Sequence, residues 1–375
     1  MTGLHSFSVS AQSGNARCGE FITKNGAFST PQFMPVGTKA TVKGIDAPRL
    51  QTLGAQIMLV NTYHLWQSPG HEVIQRLGGV HRFSGWHGPI LSDSGGFQVF
   101  SLKGIRKITE QGVEFRSHLN GQKCFLSPEL AIEIQECLGV NIAMCLDECP
   151  PASFSAVELE RSLARTHRWE KRCLAARKKS DMALFGITQG AVSHRYRSFS
   201  AELLSELDFD GMAIGGLSVG EPPEQMYEVL SYHARQLPSH KPRYLMGVGT
   251  PIDIVTAVRE GIDMFDCVIP TRSGRFGRAY IAGPNPVLNI KNAEHKESPL
   301  PLDEFCECLC CQTYSRAYVH HLFRMDEMLG PQLLSIHNLH YYLSLMSKIR
   351  QAIAADAYEE FYELERKRWS DHENL

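Results

Sequence analysis

Eight short apolar runs punctuate the chain, each ending on a polar residue or a glycine: FMPVGT, IMLVNTY, PILSDSGG, IAMCLDECP, LFGITQG, GMAIGG, YLMGVG and MFDCVIP. A strand with one wet face alternates apolar and polar residues. Runs as short and continuously apolar as these fit strands buried on both faces, the pattern of a parallel sheet. Segments with helical spacing fill most intervals, at 157–179, 196–207, 222–236 and 251–260. Eight strands alternating with helices predict an α/β fold, a (β/α)8 TIM barrel. The interval 94–140 is too long for one crossover, and VEFRSHLNGQKCFLS inside it predicts a hairpin turning at Asn120-Gly121, an insertion on the working face. Residues 4–30 alternate around KNG and predict a further hairpin ahead of the first barrel strand.

After residue 281 the pattern changes to a loop-like stretch rich in Pro and Asn, followed by CECLCCQTYSRAYVHHLF. The chain therefore reads as a catalytic barrel with its N-terminal hairpin over 1–290, a small zinc-binding subdomain over 291–340, and a C-terminal helix over 341–375 that packs back on the barrel. Cys306, Cys308, Cys310 and Cys311 are too crowded for all four to bind one ion, and histidines follow at 320, 321, 337 and 340. Three thiolates with one imidazole make the closed tetrahedral site of a structural zinc, which folds a segment too small for its own core. Spacing alone does not say which cysteine is left over. His320 and His321 fall in a segment of helical spacing and read as packing or interface residues rather than ligands.

Composition narrows the classes. With 375 residues, 43% hydrophobic and 21% charged, the chain is an ordinary globular protein. The N-terminus has no basic and apolar leader, and no run reaches the roughly 20 apolar residues of a membrane span, so a cytoplasmic protein is expected. The net charge of −2 means that a polyanionic partner must be held by a local patch rather than by the whole field.

Candidate chemistry sits where barrel enzymes keep it. Asn61, Asp93, Asp147, Gln189, Gly215, Gly216, Gly249 and Asp266 fall at or near the C-terminal ends of the apolar runs. A lone aspartate at a strand end most often caps a helix or satisfies a loop. Three from different strand ends, with Gln189, point instead to one pocket. Two carboxylates across a glycosidic bond can serve as nucleophile and general acid/base, and a third with a glutamine can read the edge of a heterocycle. A glycoside hydrolase would use the first pair but leaves Gln189 and the cysteine cluster unexplained. HKE at 295–297 with Cys308-x-x-Cys311 loosely matches a base-deaminase signature, yet Glu307 stands where proline is required. Arg161, Arg165, Arg168 and Arg172 form a basic stripe on one helix, which fits a polyanion and, with Glu158, Glu160 and Glu170 nearby, fits a solvated, salt-bridged face equally well.

The ordered motifs FMPVGTKATVK, NTYHL, LSDSGGFQVFSL, LDECP, GITQG, AIGGLSVGE, RYLMGVG, GIDMFDCVIPTR and CECLCC…YSRAYVHHL…HNL resemble the tRNA-guanine transglycosylases of the bacterial type, the queuine tRNA-ribosyltransferase family, from about residue 30 to 350. The resemblance implies exchange of guanine at the wobble position (G34) of tRNAs with a GUN anticodon for a 7-deazaguanine, on the way to queuosine, with no redox cofactor or ATP. It implies Asp266 as the nucleophile on ribose C1′ and Asp93 as general acid/base. Asp147 and Gln189, with backbone around Gly216 and Leu217, would read the base, which Phe97 and Met246 would sandwich. Arg272, Arg275 and Arg278 are the phosphate candidates. The zinc ligands map onto Cys306, Cys308, Cys311 and His337, one ion per chain, leaving Cys310 spare. Cys149 in DECP favours 7-aminomethyl-7-deazaguanine (preQ1) over the bulkier queuine. A homodimer is implied, with Tyr314, Tyr318 and His321 as aromatic anchors in the zinc subdomain. The sequence departs from the family pattern at Ala191, where a second glycine is common, and at Phe276 and Arg278, where smaller or neutral polar residues are frequent.

Overall fold

The computed structural model describes residues 5–101, 106–150, 154–283 and 285–373; Leu102, at the end of the LSDSGGFQVFSL run, lies outside them. All eight apolar runs form parallel strands of one sheet. They are β1 (Gln32–Met34 with Val36–Gly37), β2 (Met58–Asn61), β3 (Ile90–Asp93), β4 (Ile142–Met144), β5 (Ala183–Thr188), β6 (Gly211–Ile214), β7 (Arg243–Leu245) and β8 (Met264–Asp266). Pro35 splits β1: the first piece pairs with β8 and the second with β2, so the ring of strands closes through that residue. This is the expected (β/α)8 barrel.

Alternation along each strand explains the continuous apolar runs. Leu59, Leu91, Ile142, Met144, Phe185, Ile187, Ala213, Tyr244 and Met264 belong to one buried cluster inside the barrel. Their neighbours in sequence, such as Met58, Val60, Ile90, Leu184, Met212, Leu245 and Phe265, belong to the outer cluster under the helices. Both faces are dry, so polar alternation disappears. The helices follow expectation closely, at Ala156–Ala176, His194–Ser205, Pro223–Gln236 and Pro251–Arg259. The first is started by a reciprocal pair in which Ser155 caps the Glu158 N–H and the Glu158 carboxylate accepts from the Ser155 N–H.

Two additions to the barrel are larger than expected. The N-terminal segment is a three-stranded sheet, Ser6–Ser13, Ala16–Thr23 and Gly26–Thr30, because a second turn occurs at Gly14-Asn15. It closes the N-terminal end of the barrel, adding Phe21 and Phe28 to the interior cluster. The insertion after β3 is also three-stranded: Arg106–Ile108 joins the hairpin Val113–Arg116/Lys123–Leu126 that turns at Asn120-Gly121.

The N-terminal sheet is locked by a buried ion pair. Arg17 and Asp263 are 2% and 0% exposed, and the guanidinium donates through Nε (2.9 Å) and Nη2 (2.5 Å) to the two carboxylate oxygens. Asp263 also accepts from the Arg243 N–H, and Arg17 bonds the Ser239 and Lys241 carbonyls. Removing one partner of such a pair strands the other charge in the core. Asp263→Ala is expected to cost about 3–5 kcal/mol, seen as a lower denaturant midpoint at unchanged slope. A loss below about 1 kcal/mol would show that Arg17 finds water or another acceptor.

The arginine stripe corrects the sequence reading. Arg165, Arg168 and Arg172 pair with Glu148, Glu110 and Glu129 from distant segments rather than with glutamates of their own helix. Glu170 is no part of a solvated face: it is fully buried and accepts from the Ile187 N–H of β5 at 2.5 Å. The C-terminal region differs as well. One unbroken helix, Leu329–Ala354, runs across the boundary expected at 340, and a second, Tyr358–Glu373, follows a break at Asp356, where φ is 53°. The long helix therefore serves both the cysteine module and the barrel.

Candidate active site

The inward positions just beyond the apolar layer carry the chemistry. Asp93 lies two residues after Leu91, Asp266 two after Met264, Gln189 two after Ile187, and Met246 two after Tyr244. A period of two keeps each pair on the same face of its strand. Together with Asp147, Phe97, Cys149, Gly215, Gly216, Leu217, Ser218, Val219 and Gly247 they line a cavity of about 240 Å³ at the C-terminal mouth of the barrel. That is slightly below the roughly 300 Å³ at which drug-sized sites begin, and suits one fused heterocycle. All eight residues expected to hold the base or act on it are brought into this cavity.

Each carboxylate is held differently. Asp93 accepts from the Thr62 and Gly95 N–H groups, both at 3.1 Å, and from the Asn61 side-chain amide. Burial and then nearby Asp266 push its carboxyl up to about 7, against those three donors. Asp266 accepts on one oxygen only: the Tyr244 hydroxyl (2.6 Å) and the Gly247 N–H (2.7 Å) both reach Oδ1. Burial raises this carboxyl, and the two donors oppose the rise. Oδ2 has no hydrogen-bond partner among the described residues and can serve as a nucleophile. Asp147 accepts from Gln189 Nε2 at 2.6 Å, and burial pushes it up to about 6.

Gln189 is itself half committed. Its Oε1 is buried with no hydrogen-bond partner among the described residues. An unpaired buried oxygen is costly unless a ligand supplies a donor. Glycine in the turn beside it leaves the Gln189 amide its place. A Cβ on Gly215 would meet Gln189 Nε2 at 2.6 Å and one on Gly216 would meet Oε1 at 2.3 Å, and Gly216 has φ +65°.

Several positioning groups escaped sequence reading. The fully buried Arg197 donates to the carbonyls of Thr188, Ala191 and Gly215, tying the ends of β5 and β6 together. Glu221 accepts from the Ser218 and Val219 N–H groups and fixes the loop that carries Leu217. Tyr244 could have been found, since it is the inward residue of its strand and pairs in register with Met264, two residues before Asp266. Arg197 gave no signal, because its partners are backbone carbonyls, which leave no side-chain pattern in the sequence. Ala191 adopts φ 49°, which explains why glycine suits that position.

Beyond β8, the helix Ile269–Arg275 presents Arg272 and Arg275, and Arg278 follows on the strand Arg278–Tyr280. No carboxylate among the described residues forms an ion pair with any of the three. Arg272 and Arg278 are exposed and Arg275 is half-buried. The helix Leu329–Ala354 braces this segment: Asn338 donates to the Pro270 and Arg278 carbonyls at 2.9 Å, and Gly274 approaches so closely that a Cβ would meet the Ser335 nitrogen at 2.7 Å.

One turn of that helix also reaches the cysteine module. Cys306, Cys308, Cys311 and His337 are buried with their ligand atoms all within 4.8 Å of one another, a cluster that could hold a metal ion. Cys310 is not among the four, and burial raises its thiol. No disulfide forms among the described cysteines.

The family model described as Queuine tRNA-ribosyltransferase matches residues 12–371. Two Staphylococcus aureus proteins described by that same name, from strains bovine RF122 / ET3-1 and N315, are each 52% identical over 357 residues, covering 94% of this chain and 93% of theirs. Such a match, spanning the barrel, the cavity and the cysteine module together, means that the chain belongs to the queuine tRNA-ribosyltransferase family of pentosyltransferases.

Proposed function

We propose that this protein exchanges guanine at the wobble position (G34) of tRNA for a 7-deazaguanine, by two displacements at one ribose carbon. Asp266 Oδ2 attacks C1′, forming a C–O bond as the C1′–N9 bond breaks. Asp93, whose carboxyl burial pushes up to about 7, gives its proton to the departing guanine. The incoming base then returns a proton to Asp93 as its N9 attacks C1′ and the Asp266 carboxylate is released. Two inversions give net retention.

The observation that carries this reading is the convergence of Asp93, Asp147 and Asp266 with Gln189 on one cavity of about 240 Å³. A base inside a nucleic acid must be flipped from its stack to enter it. Asp147 accepts from the ring N–H and exocyclic amine of a guanine-like edge, which adenine would oppose with mismatched groups. Phe97 and Met246 cover the faces of the ring. Arg272, Arg275 and Arg278 hold the flanking phosphates. Cys149 leaves room near the base for a short aminomethyl group, so preQ1 is the preferred incoming base, in queuosine synthesis.

The cysteine module holds one structural zinc. Three thiolates and one imidazole are a zinc donor set, and four protein donors fill the positions of a tetrahedral ion, as structural rather than catalytic sites do. The protein is a homodimer, with the stacked Tyr314 and Tyr318 rings, 5.1 Å apart, as anchors beside His321. Free cysteines and the absence, among the described residues, of any helix long and apolar enough to cross a membrane fit a cytoplasmic setting.

The test is incubation with a tRNA transcript carrying G at the wobble position and labelled guanine. Label is expected in the tRNA, displaced efficiently by the aminomethyl deazaguanine and poorly by queuine. A transcript that takes up no label, while retaining affinity for the protein, would count against base exchange.

A further inference from the structure

The metal-ligand cluster has a second imidazole beside it with a different job. His337 Nδ1 lies 3.5, 3.5 and 3.2 Å from the sulfurs of Cys306, Cys308 and Cys311. Its Nε2 donates to the Tyr280 carbonyl at 2.7 Å, which places the ring proton there and leaves the Nδ1 lone pair facing the three sulfurs. His340, one turn further along the same helix, sets its Nδ1 3.4 Å from Cys306 Sγ alone. It is half-buried and is not one of the four residues whose ligand atoms cluster.

Three thiolates outweigh a divalent ion by one negative charge, and Cys306, Cys308 and Cys311 are all buried. Hydrogen-bond donors to the sulfurs offset such charge and keep the thiolates in place. Cys308 Sγ receives the Cys311 N–H at 3.5 Å. We infer that His340 does the same for Cys306, donating from Nδ1–H to the thiolate from outside the coordination shell and so retaining the metal. One imidazole thus offers a lone pair and the other a proton. His340 is a positioning residue, and its role rests on the reading that the cluster holds a metal ion.

The test compares the full-length protein, loaded with Zn²⁺ or Co²⁺, with His340→Ala, His340→Gln and His337→Ala. A chromophoric chelator reports zinc release, and the cobalt form reports its ligand field and its sulfur-to-metal charge transfer. His340→Ala is expected to release zinc about tenfold faster and to shift the charge-transfer band to lower energy, while keeping the tetrahedral ligand-field pattern. His340→Gln restores an N–H and moves both readouts back toward the parent protein. Release and spectra unchanged in His340→Ala would overturn the inference. So would a ligand-field pattern altered as in His337→Ala, which would make His340 a ligand. Parent protein that takes up neither ion would overturn the metal reading itself, and this inference with it.

Discussion

Asp266→Asn is expected to lower the rate of base exchange by at least about 10⁴-fold, with tRNA affinity changed little. The amide keeps an oxygen to accept from the Tyr244 hydroxyl and the Gly247 N–H, both of which reach Oδ1 in the native carboxylate. The side chain should therefore stay in place, and the barrel should remain intact. What is lost is the second oxygen's charge, without which no ester to C1′ can form and both displacements stop. In the proposed mechanism Asp147 and Gln189 are left to read the base and the three arginines to hold the backbone, so binding should survive without turnover. Labelled-guanine incorporation measures the first quantity and filter binding the second. A denaturing gel adds a check: a protein–RNA adduct should be trapped with the parent protein and be absent from the variant. Exchange by the variant within tenfold of the parent rate would remove Asp266 as nucleophile.

Loss of the metal proposed for the cysteine cluster should be the next largest effect, and it should reach the segment proposed to bind phosphates. Cys306, Cys308 and Cys311 contribute to a small hydrophobic cluster with Ala279, Leu288, Ile290, Leu302, Val319, Leu322, Leu333 and Leu334. A cluster of that size does not order a module alone, and metal binding supplies folding free energy directly. Cys308→Ser, or prolonged chelation, is expected to lower Tm by about 10 °C or more and to open residues 291–328 to protease. The helix Leu329–Ala354 carries His337 to the cluster and Asn338 to the carbonyls of Pro270 and Arg278. Loosening one side of that helix loosens the segment bearing Arg272, Arg275 and Arg278. tRNA affinity should therefore fall together with stability, whereas affinity for the free base should change less. Metal-free protein with the parent melting curve and protease pattern would show that the cluster is only a packed set of thiols.

The sequence by itself determined the local elements and the types of chemistry available. A parallel strand covered on both faces must be apolar throughout, so eight such runs were visible without any knowledge of their partners. Helical spacing, the Asn120-Gly121 turn and the tight Cys306–Cys311 grouping are equally short-range signals, as is the recurrence of acids at strand ends. What only the tertiary structure decided is everything that depends on register and closure. The period of two aims Asp93 and Asp266 inward only once β8 has paired with β1 and the ring is shut. Tyr244 and Gly247 become donors to Asp266 only because β7 lies beside β8. Arg17 finds Asp263 across 246 positions of chain. Glu170 looked like a solvated helix residue and is buried, because its carboxylate accepts from the Ile187 N–H of the sheet, a partner that no periodicity announces. Partners of a charged group are chosen in space, where chain separation carries no information, and that is why the acids could be listed from the sequence but their environments could not.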